Sequence, residues 1–367
     1  MMNMDSAHEL EGKIIELPRQ PENQRHVVVN DNNTLLAILT AARAQNCFLR
    51  AITATDERLR ENRSFKLYYL ISDDRDDQLI ILETGVAKSN DLVYPSVHSI
   101  FPAVVSTEGQ IFDLFGLKAD VGLEAADGFL LHNPAYLFNK PLQPLRRTRT
   151  KRGLDQILQS EQKNHPPTIP GWIKPLRREG VSILSVGPVH AKIIESGQFL
   201  FYVAGEVIES LSLRLGYKHR GIEKLFETHY TLETGWKLAE KISGDSSFAH
   251  SLAYCQAVED IVNVTPPKTA LYWRALLLEL ERVYNHIADV GALAHDVAYD
   301  RAAAQISSLR ETMVQLNRRL SGNRFLRGIN VPGGVNLPAP DVEAQAICQI
   351  VEAVAEEFLG WAKKVME

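Results

Sequence analysis

EKISGDSSFAHS, residues Glu240–Ser251, lies between two apolar runs with helical spacing, TGWKLAEKI before it and FAHSLAYCQAVEDIVNV after it. At its centre Ser243, Gly244, Asp245 and Ser246 stand where the pattern calls for core residues. Glycine and aspartate both lower helix propensity, so a break is expected here, with His250 one turn further on. Downstream, Pro266-Pro267 suits the first turn of a helix, and the pattern predicts a very long one over about Lys268–Asp300. RAAAQISSLRETMVQLNRRLSG and DVEAQAICQIVEAVAEEFLGWAKKVM predict two more. Three long helices with shorter ones make a bundle. Between the last two runs GNRFLRGINVPGGVNLPAP, rich in glycine and proline, is expected to be a loop.

Working upstream, SILSVGPVHAKIIESGQFLFYVAGEVIESLSLRLGY reads as a small sheet with glycine turns at the entrance to the helices. Before it, PLQPLRRTRTKRGLDQ packs basic residues into Arg146–Arg152 and is followed by the proline-rich KNHPPTIPGWIKPLRREG. The basic run is either a solvated linker or a docking strip for an acidic partner. From Val27 to about Leu145 the chain reads strand, turn, helix and strand. FKLYYLIS and DQLIILETGV then form a hairpin around the acidic DDRDD, and a loop and helix follow in SVHSIFPAVVSTEGQIFDLFGL. The expected class is α+β. Residues 1–25 form a polar tail, 26–145 a small α+β domain, 146–180 a linker, and 181–367 the sheet and bundle.

A chain of 367 residues favours two domains. A net charge of −5 argues against a general nucleic-acid binder. Cys47, Cys255 and Cys348 are far apart, with no CxxC, so neither a disulfide framework nor a metal or iron–sulfur site made by this chain alone is expected. Each is read as a small core residue. The N-terminus lacks the apolar stretch of a signal peptide. No run approaches the roughly 20 apolar residues that span a bilayer. ALYWRALLLELERVY comes nearest, but Arg274, Glu279, Glu281 and Arg282 interrupt it. Attachment to a membrane would therefore run through other chains.

His219, Arg220 and Glu223 in GYKHRGIEKLFETH make a tight titratable group, with Arg220 and Glu223 three apart and so on one face of a helix. The group is either an exposed ion pair or a proton-handling or ligand-binding cluster. His190 follows a Gly-Pro turn. His250, Ser246 and Ser243 have a spacing that points all three one way if the helix is continuous. A Gly-rich phosphate loop, HExxH and GxSxG are all missing from the sequence, so a nucleotide site within the chain is not expected.

Taken in order, GPVHAKIIESGQF, GEVIESLSLRLGYKHRGIEKLFE, FAHSLAYCQAVEDI, RALLLELERVYNHIADVGALAHDVAY and RLSGNRFLRGINVPGGV resemble the large subunit of energy-converting nickel–iron hydrogenases, on the hydrogenase-4 and formate hydrogenlyase branch. They also resemble its relative in NADH-quinone oxidoreductase (respiratory complex I), the D-type subunit that carries the quinone site. This likeness covers about Val181–Pro340. The segment YPSVHSIFPAVVSTEGQIFDLFGL resembles the C-type subunit of the same complex, with Glu108, Asp113, Phe115 and Gly116 in place and Gly109 and Gln110 breaking a second charged pair. A fusion of the two types fits the same family.

The resemblance implies an RGxE motif, a gap, CGxC and a histidine around the nickel–iron group. Here RGIE ends at Glu223, Ser243 and Ser246 fall on the cysteine positions, and His250 on the histidine. Thiolates bind and bridge nickel and iron, and neutral hydroxyls replace them poorly. The family's second cysteine pair is expected beyond Glu367. The D-type likeness implies a quinone headgroup held by a loop tyrosine and a histidine, but those positions are Gly244 and Ile194 here.

The family frame that remains implies proton handling by Glu195, Glu223 and His250. It also implies a binding floor of His190, His219, Arg220, Ser243, Asp245 and Ser246, with no metal on the chain. A quinone or another small acceptor is the expected substrate. The expected partners are an iron–sulfur small subunit and membrane ion-translocating subunits. The expected place is the cytoplasmic face of the cell membrane, held peripherally through those partners. The alternative is a non-catalytic coupling subunit of the same complex.

Overall fold

The computed structural model describes residues 14–17, 23–58, 64–75, 78–86, 92–120, 145, 156, 180–190, 196–214, 217–337 and 344–366. The basic run Arg146–Arg152, nearly all of the proline-rich segment, and Glu195 lie outside the described residues. The fold is α+β, and it divides into two compact units, Met1–Arg220 and Gly221–Glu367.

In the first unit β1 (Ile14–Leu17), β2 (Gln24–Val29), β3 (Phe48–Asp56), β4 (Phe65–Asp73) and β5 (Gln78–Val86) form one sheet in the order β1-β2-β5-β4-β3. β1 lies within the segment read as a polar tail. Its IIEL is β-prone enough to pair antiparallel with β2. The hairpin predicted around DDRDD is β4–β5, antiparallel from Phe65↔Val86 to Asp73↔Gln78. Along β4 burial alternates residue by residue, putting Phe65, Leu67, Tyr69 and Ile71 in the core. Helix α1 (Asn32–Ala44) buries Leu35, Ile38, Leu39 and Ala42 at helical spacing, and its Asp31 N-cap accepts the Thr34 N–H at 2.9 Å.

Helix α2 (Val105–Phe115) delivers Glu108 to the interior. The carboxylate accepts the Val97 N–H at 2.9 Å and the Ser96 hydroxyl at 2.8 Å. Burial still pushes its pKa above the ordinary carboxylate value. The folded form therefore holds its proton more tightly than the unfolded chain. The stability contribution is complete below the unfolded value and is lost as pH rises through the folded one. A Glu108→Gln variant keeps an acceptor for the Val97 N–H and turns the second contact round, its amide NH2 donating to the Ser96 oxygen. It is expected to gain thermal stability relative to the parent as pH rises from 4 to 8; a constant difference across that range would refute this.

Strands β6 (Val93–Tyr94) and β7 (Lys118–Ala119) form a small parallel pair flanking α2. β8 (Ser182–Val186), β9 (Gln198–Ala204) and β10 (Val207–Arg214) form the antiparallel sheet expected from the glycine turns.

The second unit contains α3 (Ile222–His229), α4 (Trp236–Ala239), α5 (Ser247–Val262), α6 (Lys268–Asp296), α7 (Asp300–Ser321) and α8 (Ala344–Met366). α6 and α7 pack closely along their length, as their short connection through Val297–Tyr299 requires. At Gly291 a Cβ would come within 3.1 Å of the Ile306 side chain, so a glycine permits the close approach. Phe248, Leu277, Tyr284, Ile306, Met313 and Val354 belong to the core of this unit. The glycine/proline-rich segment read as a loop carries a two-strand ladder, β11 (Asn330–Val331) with β12 (Gly334–Val335).

Three readings are corrected. The run before the break makes only the four-residue α4, because Gly235 and the Thr231–Thr234 turn precede it. Arg220 and Glu223 do not share a helical face: Gly221, in the left-handed region at φ +63°, starts α3 after Arg220. Cys47 and Cys255 are buried, but Cys348 is exposed, one residue round α8 from the buried Ile347.

Candidate functional site

The loop Ser243–Ser246 lies outside any helix, and α5 starts at Ser247. His250 is therefore on the helix while Ser243 and Ser246 are not, which removes the shared helical face expected of the three. The Ser243 hydroxyl turns back and donates to Asp245 Oδ1 at 2.5 Å. Ser247 reaches the carbonyls of Ser243 and Gly244 at 3.4 and 3.2 Å.

Side chains distant in sequence hold this loop. From α6, Tyr284 donates to the Asp245 carbonyl in a short hydrogen bond, and Asn285 donates to the same oxygen at 2.9 Å. Glu281, one turn earlier on α6 and only 2% exposed, accepts the N–H groups of Phe248 and Ala249 at 2.7 and 2.8 Å. Residues 281, 284 and 285 are i, i+3 and i+4, so one face of α6 supports the loop. From the α7–α8 connection, Arg327 donates to the Ser247 hydroxyl at 3.1 Å and to the Gly244 carbonyl at 3.4 Å. Glu240 accepts the Gly328 N–H at 2.6 Å. Burial raises the pKa of both Glu240 and Glu281, and the nearby Asp245 charge adds to the effect at Glu281.

Below the loop, buried Asn330 donates to the Phe248 carbonyl and the Ser251 hydroxyl at 3.1 and 3.0 Å. Further along α5 the Glu259–Arg274 pair, at 2.7 and 2.9 Å, is buried on both sides.

Phe226 of α3 and Tyr254 of α5 stack with centroids 5.6 Å apart and planes 12° from parallel. Together with Tyr230, Thr231 and Leu232 they line a pocket of about 550 Å³. Glu223 precedes Phe226 by three residues and His250 precedes Tyr254 by four, so each stands roughly one helical turn from the stack. The structure thus brings the helices of Glu223 and His250 together through an aromatic contact that the sequence reading did not include.

His190, His219 and Arg220 belong to the first unit. His190 is tied into its own hairpin: Nε2 lies 2.7 Å from the Gly197 carbonyl, and the ring meets Phe199 edge-on at 5.8 Å. His219, Arg220 and Glu223 are exposed, whereas Ser243, Ser246 and His250 are half-buried. Among the described residues no group of three or more His, Cys, Asp or Glu could hold a metal ion, and no helix is long and apolar enough to cross a membrane.

The sequence reading missed Glu240, Glu281, Tyr284, Asn285, Arg327 and Asn330 as supports. The i, i+3, i+4 spacing of Glu281, Tyr284 and Asn285 on one face of α6 was the one local signal for three of them.

Residues 27–150 match the family of the respiratory-chain NADH dehydrogenase, 30 Kd subunit. Over 327 residues the chain is 30% identical to hydrogenase-4 component G of Escherichia coli (strain K12), covering 88% of this chain and 56% of that one. Formate hydrogenlyase subunit 5 of the same organism is also 30% identical, over 88% of this chain and 55% of its own. The C/D subunit of NADH-quinone oxidoreductase from Phocaeicola vulgatus is 24% identical over 80% of this chain and 57% of its own. The chain thus spans little more than half the length of the curated relatives it matches.

Proposed function

Because residues 27–150 belong to the respiratory-chain NADH dehydrogenase 30 Kd subunit family, and 88% of the chain is related to hydrogenase-4 component G, we propose that it serves as a peripheral-arm subunit of a membrane-associated, complex-I-like oxidoreductase. In this reading its second unit binds a quinone or another small redox acceptor and carries no nickel–iron centre. The observation that carries the reading is the aromatic pocket of about 550 Å³, one turn from both Glu223 and His250. Its size and apolar walls suit a small ring compound oriented by a few polar groups.

The donor set argues against nickel and iron. Hydroxyls stand at 243 and 246, and the nearest cysteine in sequence, Cys255, is buried with its thiol pushed up to about 12. A thiol held so firmly protonated is a poor ligand.

Reduction of a quinone to the quinol takes two electrons and two protons. The electrons would come from an iron–sulfur cluster in a partner subunit. The protons would come from solvent, relayed through Glu223 and His250. Asp245, exposed at the loop, would orient the headgroup through the hydroxyl network it shares with Ser243.

The test is quinone-reductase turnover and inhibitor binding in the purified complex with its native partners. Asp245→Ala and Phe226→Ala are each expected to raise KM for a short-chain quinone about tenfold, the loss of roughly one hydrogen bond or part of an apolar wall. Unchanged turnover together with unchanged inhibitor binding in both variants would sink the reading.

A further inference from the structure

Gly235, buried just before α4, has φ −62° and ψ −26°, a right-handed helical backbone that any residue adopts. Nothing in the backbone calls for glycine there, and glycine in a helical conformation is less stable than alanine. The reason lies on α5. A Cβ at 235 would fall on the Tyr254 hydroxyl and its ring carbon Cζ, and 2.8 Å from Cε2; the three nearest atoms all belong to that ring. The ring is held in place from two sides. Its hydroxyl donates to the carbonyls of Thr231 and Leu232 at 3.3 and 3.0 Å, and its face lies on Phe226. The Gly235 N–H donates to the same Thr231 carbonyl at 2.9 Å. One oxygen thus fastens both the turn that carries Gly235 and the ring above it.

We propose that Gly235 is a positioning residue that sets what the aromatic pocket accepts: by leaving room for the Tyr254 ring, it keeps Phe226 and Tyr254 as a fixed wall for the uncharged, apolar ring of a ligand. This rests on the reading above that the pocket holds a small molecule, and it names the part of that molecule the pocket takes. None of the five residues lining the pocket, Phe226, Tyr230, Thr231, Leu232 and Tyr254, carries a charge. The Tyr254 hydroxyl is turned to backbone, and the Thr231 N–H and hydroxyl both meet the Thr234 hydroxyl, at 3.1 and 3.0 Å. A charged group entering here would lose water and gain no counter-charge from the walls. A flat ring gains contact with aromatic faces.

The test uses the full chain and two dyes with the same ring system, the uncharged N-phenylnaphthylamine and the anionic anilinonaphthalene sulfonate. The wild-type chain is expected to bind the uncharged dye about tenfold more tightly than the sulfonate. Phe226→Ala and Gly235→Ala should each weaken binding of the uncharged dye about tenfold, the loss of part of an apolar wall. Gly235→Ala should not raise binding of the sulfonate. A gain there is what a generally loosened fold shows, and it would overturn the positioning role. Equal affinity for the two dyes, or binding of the uncharged dye unmoved by Phe226→Ala, would overturn the assignment of an apolar ring to this pocket.

The urea unfolding midpoint decides the contact itself. Gly235→Ala is expected to lower it in the wild-type background. In a Tyr254→Ala background the obstructing ring is gone, so the same replacement should raise the midpoint, because alanine is the better residue at φ −62°. This double variant also keeps the test open should Gly235→Ala alone fail to fold. A midpoint lowered equally in both backgrounds would show that Gly235 serves something other than Tyr254 and overturn the inference. If the wild-type complex reduces no quinone while the dyes and the urea cycle behave as expected, the acceptor reading fails and the pocket's preference for an uncharged ring stands.

Discussion

Replacing Arg274 by alanine is expected to destabilise the second unit by about 3–5 kcal/mol, the usual cost of removing one partner from a buried ion pair. Arg274 is 3% exposed and meets both oxygens of Glu259, itself 4% exposed. One guanidinium nitrogen also donates to the carbonyls of Val331 and Gly334 at 3.0 and 2.9 Å, while Glu259 accepts the Gly333 N–H at 2.7 Å. The pair therefore fastens the β11–β12 turn to α5 and α6. Truncation leaves a buried carboxylate with one N–H donor and strands two carbonyls. The double replacement Glu259→Leu with Arg274→Met removes both charges and most of the desolvation cost, so it should fall closer to the parent than Arg274→Ala does. Urea unfolding of the parent, single and double variants measures this. A loss below about 1 kcal/mol for Arg274→Ala would place the pair among the weak surface type and contradict its burial.

Gly187→Ala is expected to cost about 3 kcal/mol, the upper end for a residue forced into an unfavourable backbone region. Gly187 has φ +84°, and a Cβ there would lie 2.1 Å from the Gly197 carbonyl oxygen and 2.6 Å from His190 Nε2. Moving the side chain of His190 does not relieve the first contact, which is with backbone. The His190–Gly197 hydrogen bond that closes the β8–β9 connection should be lost with it. Fast amide exchange confined to β8 and β9, with β2–β5 still protected, is the expected signature. Protection in β8 equal to that of the parent would refute it. Because His190 is engaged by this carbonyl, its role as a ligand-binding group would require that bond to exchange.

Much of the secondary structure was legible because it rests on local rules. The alternating FKLYYLISD and the acidic turn after it gave the β4–β5 hairpin, and Pro266-Pro267 placed the start of α6. The polar group Ser243–Ser246 marked a break, which the start of α5 at Ser247 bears out. Where the local signal was weaker the reading drifted. Gly221 moved Arg220 off α3, and the Thr231–Gly235 turn left only a four-residue helix before the loop. The charged residues Arg274 and Glu281 were informative in one sense only: they argued against a membrane span, and nothing in their spacing showed that they would be buried, one paired with Glu259 and the other capping α5.

That contrast separates what each level settled for this protein. The sequence by itself determined the element types, the α+β class, the kinship of its segments, and the hydroxyls standing at 243 and 246, because residue identity and periodicity act over a few neighbours. Tertiary structure decided that Glu281, 32 and 33 residues from the N–H groups it accepts, would cap α5. It also decided that Phe226 and Tyr254 would stack beside Glu223 and His250. The physical reason is that a hydrogen bond or ring contact depends on distance in space, and a carboxylate's exposure, charge state and partner are set only when α6 packs against α5.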